Sequence, residues 1–189
     1  MPVAAGRVYR EFVARNGKRV TLRAARWEDL DALFEFANEL VREQAEDPGF
    51  GTLIDGPVTR EREARWLADK LVAIETGREL SVVAEVEGRM AANAEVVRGA
   101  LQTTAKHGVL GISVSRAYRG MGIGGAMLSC LKDLSKDAGL ETLELQVLGT
   151  NTRALALYER SGFRQAGLVE RKYRRGGRAI DSIIMALSL

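Results

Sequence analysis

Val109-Leu110-Gly111-Ile112-Ser113-Val114-Ser115-Arg116-Ala117-Tyr118-Arg119-Gly120-Met121-Gly122-Ile123-Gly124-Gly125-Ala126-Met127-Leu128 is the stretch on which the fold turns. Val109 to Val114 reads as a buried strand. Residues 115–119 follow, and then glycines at 120, 122 and 124 open a helix pattern of Ile123, Met127, Leu128, Leu131 and Leu134. Alternating glycines keep side chains away, so several backbone N–H groups can face one concavity. The helix N-terminus adds its unsatisfied N–H donors and the positive end of its dipole. Strand, glycine loop and helix together predict an α/β domain with a site for phosphate oxygens on the loop.

Two phosphate-binding patterns compete for this loop. Gly120-x-Gly122-x-x-Gly125 formally satisfies the dinucleotide fingerprint, and Glu144 lies about 20 residues on. That fingerprint needs its first glycine directly after the strand, whereas Ser115 to Arg119 intervene here. The Walker pattern is absent, because no Gly-Lys-Ser/Thr closes the loop.

Working outward, Val8–Ala14 and Val20–Ala24 read as a hairpin (8–24) turned by Asn16-Gly17. Trp27 to Glu46 has helical spacing at Leu30, Leu33, Phe34, Ala37, Leu40 and Val41. Asp47 to Pro57, with Pro48, Gly49, Gly51 and Gly56, is a loop, and Thr59 is the expected N-cap of a helix running to Glu75. Leu80–Glu87 and Met90–Val97 form a hairpin expected to turn at Gly88-Arg89. The glycine-loop helix stops at Gly139; Thr142–Leu148 is a strand, Asn151–Ser161 a helix, and 163–189 a hairpin turned by Gly176-Gly177. The order is β-β-α-α-β-β-β-α-β-α-β-β, an α/β domain with a mixed sheet.

The bulk composition narrows the partners. The 189 residues suit one domain, 1–189, with residues 1–7 as a frayed end. A net charge of +3, with no clustered patch, gives no case for nucleic acid but would suit a polyanionic cofactor. One cysteine, Cys130, and one histidine, His107, rule out a disulfide framework and a His-based metal cluster. No apolar run is long enough to span a membrane, and the start lacks the apolar core of a secretory signal. A cytoplasmic protein is the simplest reading.

Arg119-Gly120-Met121-Gly122-Ile123-Gly124 resembles the acetyl-CoA signature Arg/Gln-x-x-Gly-x-Gly/Ala of the GNAT superfamily of N-acetyltransferases. Thirty residues on, Asn151-Thr152-Arg153-Ala154-Leu155-Ala156-Leu157-Tyr158-Glu159-Arg160-Ser161-Gly162-Phe163 resembles the second signature, N-x-x-A-x-x-L-Y-x-x-x-G-F. The resemblance implies a mostly antiparallel central sheet with two splayed parallel strands, about four helices, and an acetyl-CoA-binding core at 107–163. It implies acetyl-CoA as acetyl donor, a primary amine as acceptor, and no metal. By the same resemblance Ile112, Ser113 and Val114 contact the pantetheine arm. Arg119, Gly120, Met121, Gly122, Ile123, Gly124 and Gly125 cover the pyrophosphate. Asn151 caps its helix and reaches the arm, and Tyr158 is the general acid for the CoA thiolate.

The general base is less determinate. Ribosomal-protein N-acetyltransferases, which the chain otherwise resembles, place a glutamate where Gln146 stands, and Gln146 cannot act as a base. Other members carry the base on a strand facing the cofactor, which makes Glu95 the candidate, with Glu144 and His107 as alternatives. The resemblance implies an acceptor between the first helices and the terminal hairpin, where Glu43, Glu46, Asp47 and Asp55 could attract a cation. A protein lysine or N-terminal amine is favoured by the ending Tyr173 to Leu187, with small-molecule amines and a non-catalytic acyl-CoA-binding module as alternatives. A homodimer is compatible with the resemblance.

Overall fold

The computed structural model describes residues 4–47, 49–50, 54 and 56–189. Pro48, Gly51 and Asp55, named above, lie outside the described residues. One eight-stranded sheet runs through the molecule in the order β1-β2-β3-β4-β5-β6-β8-β7. Its strands are β1 (Val8–Val13), β2 (Arg19–Arg23), β3 (Glu79–Val86), β4 (Arg89–Arg98), β5 (His107–Val114), β6 (Thr142–Leu148), β7 (Arg164–Arg175) and β8 (Arg178–Ser188). The helices are α1 (Leu30–Glu46), α2 (Arg60–Glu75), α3 (Ile123–Asp137) and α4 (Thr152–Arg160). Every neighbouring pair is antiparallel except β5 with β6.

β3 shows why this sheet is covered on both faces. Leu80, Val82 and Ala84 point into the main core with Met127, Leu128 and Leu131 of α3. Val83 points the other way, onto Ile74 of α2 and Ala25. Helices α3 and α4 thus cover one face, and α1 and α2 the other. A buried ion network joins the second layer to the sheet: Arg23 of β2 binds Asp29 at 2.6 Å, just before α1, and Glu85 of β3 at 3.0 Å.

The element order matches the expectation throughout, with local corrections. The β3–β4 hairpin turns at Glu87-Gly88, both at positive φ, one residue earlier than Gly88-Arg89. Trp27–Asp29 is a separate 3-10 turn, so α1 begins at Leu30. Residues 4–7 are tied down, since Gly6 N–H donates to the Ala25 carbonyl and Ala24 N–H to that of Arg7. The buried stripe of α1 runs through Leu33, Phe36, Ala37, Leu40 and Glu43, not through Phe34 and Val41. Thr59 caps α2 by accepting from the Arg62 N–H.

Candidate active site

β5 and β6 pair only over His107–Thr142, Gly108–Leu143 and Val109–Glu144, then part. Beyond that point β5 is bonded on one side only, to β4. Ser115 N–H donates to Ala91, so in this antiparallel ladder the odd residues Gly111 and Ser113 bond β4. The backbone groups of Ile112 and Val114 therefore face the gap. Ser113, expected to offer its backbone there, directs it at Asn93 of β4 instead. A cleft of about 1790 Å³ runs along this gap and is lined by all three.

At the mouth of the gap the glycine loop turns into α3. Gly120 and Gly122 have φ of +78° and +88°, a conformation that a side chain would strain. The first helical bond is Ala126 N–H to Gly122, at 3.1 Å. The six N–H groups from Gly120 to Gly125 have no acceptor among the described residues. They include the free donors at the positive end of the α3 dipole, and the loop lines the cleft with Arg15 and Lys132 close by.

Arg119, expected over the pyrophosphate, lines the cleft and has a further attachment that the sequence did not suggest. Its guanidinium grips Glu43 of α1 with both terminal nitrogens, and its Nε donates to the Val114 carbonyl at 2.9 Å. It also stacks on Phe50 at 4.4 Å. Its side chain is 16% exposed, and three of its five N–H donors are taken by Val114 and Glu43, so it anchors the loop to α1. Glu43 is buried for the same reason, and Glu46 pairs with Arg116 at 3.1 Å. The acidic loop expected to attract a cation thus has both glutamates on α1, each held by an arginine of the segment 115–119, while Asp47 accepts from the Gly49 N–H.

On the far side of the gap, Asn151 caps α4 by accepting from the Ala154 N–H at 3.1 Å. Tyr158, two turns further along, packs edge-on against Phe163 at 5.9 Å and lines the cleft. Its hydroxyl has no hydrogen-bond partner among the described residues. Burial pushes its pKa up to about 12.

Glu95 stands on β4 in the same cleft. Its Oε2 accepts from Lys70 and Asn93, both at 3.1 Å, and a Cβ on Gly111 would lie 2.6 Å from its Oε1. Glycine at 111 is what makes room for this carboxylate. Lys70 of α2 is buried and also bound to Glu79, an arrangement the sequence reading missed. Burial alone would depress the Lys70 pKa; Glu95 and Glu79 outweigh it and raise the value. Of the alternative bases, His107 bonds Thr142 at 3.0 Å and its Nε2 lies 3.9 Å from Glu144. Neither lines the cleft. Gln146 does line it, with Lys172 donating to its Oε1.

The sequence profile described as the acetyltransferase (GNAT) family matches residues 31–163 of this chain, from α1 through α4. The chain belongs to the GNAT acetyltransferase family.

Two relatives and one structure illustrate the range. The ribosomal protein bS18-alanine N-acetyltransferase of Escherichia coli is 38% identical over 78 residues, which are 41% of this chain and 53% of that protein. The chain spans about half the length of that relative. A candidate phosphinothricin acetyltransferase of Bacillus subtilis is 27% identical over 90% of this chain and 99% of its own. A candidate acetyltransferase of Salmonella typhimurium, solved with acetyl-CoA, has the same fold at a TM-score of 0.76 and 21% identity, covering 90% of this chain and 94% of its own. GNAT enzymes use acetyl-CoA as acetyl donor. The free N–H groups at 120–125 suit its pyrophosphate, and the open β5 edge suits an extended amide-bearing arm. Among the described residues no group of three or more His, Cys, Asp or Glu side chains could hold a metal ion, and no helix is long and apolar enough to cross a membrane.

Proposed function

We propose that this GNAT protein moves the acetyl group of acetyl-CoA to a primary amine by direct attack on the thioester. The observation that carries this reading is the run of unbonded N–H groups from Gly120 to Gly125, set at the mouth of the β5–β6 gap. In this reading Gly120 to Gly125 hold the pyrophosphate, and the backbone of Ile112 with the N–H of Val114 pairs with the pantetheine amides, the Val114 carbonyl being held by Arg119. An N–H of that open edge would polarise the thioester carbonyl as negative charge develops on its oxygen. The amine forms the C–N bond, and the C–S bond breaks. Tyr158 gives its phenolic proton to the departing thiolate, and Glu95 takes the proton lost by the attacking nitrogen. Cys130 has no part: it is buried, and burial raises its thiol to about 11.

The acceptor we infer is a protein amine, a lysine side chain or an N-terminus, in line with the ribosomal-protein acetyltransferase among the relatives. A small-molecule amine is the second reading, because the Bacillus subtilis relative aligns over nearly its whole length. A reducing cytoplasm fits a chain with one cysteine.

Thiol release from acetyl-CoA, measured with lysine peptides, N-terminal peptides and small amines, tests the reading. Amine-dependent release is expected from at least one class. Tight acetyl-CoA binding with no release on any amine would show a non-catalytic module instead.

A further inference from the structure

One face of α2 carries Glu63, Trp66, Leu67 and Lys70, at the spacing that brings residues into line. Leu67 sits in the core, and Lys70 is bound to Glu79 and Glu95. Glu63 differs from both. It is 6% exposed, it lines the cleft with Trp66, Asn93 and Glu95, and its carboxylate has no hydrogen bond or ion pair among the described residues. Burial pushes its pKa above the ordinary carboxylate range; the charges of Arg62 and Lys70 act the other way without forming a pair with it.

A buried carboxylate with no partner is costly in its charged form and is relieved either by taking up a proton, the direction of its shift here, or by a cation that meets it. The open side of Glu63 is the cleft, so a cation bound in the cleft is in position to meet it. Seven residues of helix separate Glu63 from Lys70, about 10 Å along the axis. Lys70 reaches Glu95 and pairs with its Oε2, an ion pair in which Glu63 has no share. The ring of Trp66 on the same face already carries the Lys70 ammonium, 4.8 Å from its centroid, so Lys70 is held by Trp66, Glu79 and Glu95 and not by Glu63.

We propose that Glu63 binds a second cationic group of the acceptor, an ammonium or guanidinium other than the nitrogen that is acetylated. The acceptor is then an extended dication: a diamine, or a peptide with a basic residue near its reactive amine. This rests on the acetyl-transfer reading above and narrows its acceptor.

The test compares kcat/KM for diaminobutane, diaminohexane and diaminooctane with monoamines of equal length. A parallel arm compares a lysine peptide bearing a nearby arginine with the same peptide bearing glutamine there. A preference for the dication of about tenfold is expected in at least one arm, and Glu63→Gln should reduce it to about twofold or less, mainly through KM. The arm showing the preference identifies the source of the second charge. No preference in either arm, or a preference that survives Glu63→Gln, overturns the proposal. So does a Glu63→Gln protein that melts well below wild type, since an amide in place of an unpaired carboxylate should hold or raise Tm. Thermal shift with diaminohexane separates the two readings. Stabilisation of wild type but not of Glu63→Gln, without turnover on any amine, would sink acetyl transfer and keep the site. Turnover on monoamines with no diamine preference would do the reverse.

Discussion

Tyr158 has a raised pKa, a cleft-facing position and no partner for its hydroxyl, the three properties a proton donor in this site needs. The direction of the shift matters. A phenol acts as an acid only while protonated, and an upward shift to about 12 keeps it so through the whole working range. Tyr158→Phe should lower kcat about 10²-fold while leaving the affinity for acetyl-CoA nearly the same, as steady-state kinetics and calorimetry will show. Wild-type kcat should show no phenol-type decline up to about pH 10.5, where an ordinary tyrosine is already mostly ionised. A decline centred near pH 10 would mean that Tyr158 is solvated and not the donor. Residue types alone could place Tyr158, because its signature is dense with fixed positions. They could not place Lys70 or Glu63. A charge on a helix normally reads as a solvated face, and only the sheet opposite reveals that these two are buried.

Between elements, the pair Arg119–Glu43 ties the glycine loop to α1. Glu43 sits where an apolar residue would continue the stripe of Leu33, Phe36 and Leu40, so it is affordable there only with the guanidinium against it. Glu43→Gln should cost about 3 kcal/mol in chemical denaturation, since it weakens a largely buried charge pair. It should also weaken acetyl-CoA binding severalfold, because the loop loses its anchor before α3 begins. An unchanged dissociation constant would show that the glycines hold the loop geometry unaided. The sequence made this loop legible as a backbone feature but not the pairing of its arginine with Glu43. Alternating glycines announce their purpose locally, whereas the partner of Arg119 lies 76 residues away. The same holds for the bases: Glu95 could be named from the family resemblance, but its separation from Glu144 and His107 depends on which face and end of the sheet each occupies.

For the whole molecule, the order of elements was readable from periodicity and turn residues, and with it the mixed sheet. What periodicity cannot express is the point at which two parallel strands stop pairing. The short β5–β6 register is that point, and it joins the two helical layers through the sheet: the glycine loop and Tyr158 belong with α3 and α4, Glu95 and Glu63 with α1 and α2. In the acetyl-transfer reading proposed above, donor and acceptor approach from opposite faces and meet in the opening.

The parting of β5 from β6 also leaves a signature in solvent exchange. Along one strand, amide deuteration followed by NMR should alternate: Gly111 and Ser113, bonded to β4, exchange slowly, while Ile112 and Val114 exchange fast. Adding acetyl-CoA should slow the second pair and leave the first nearly as it was. Uniformly slow exchange in the free protein would mean that the strand has closed on a neighbour and that the cofactor must first pry it open.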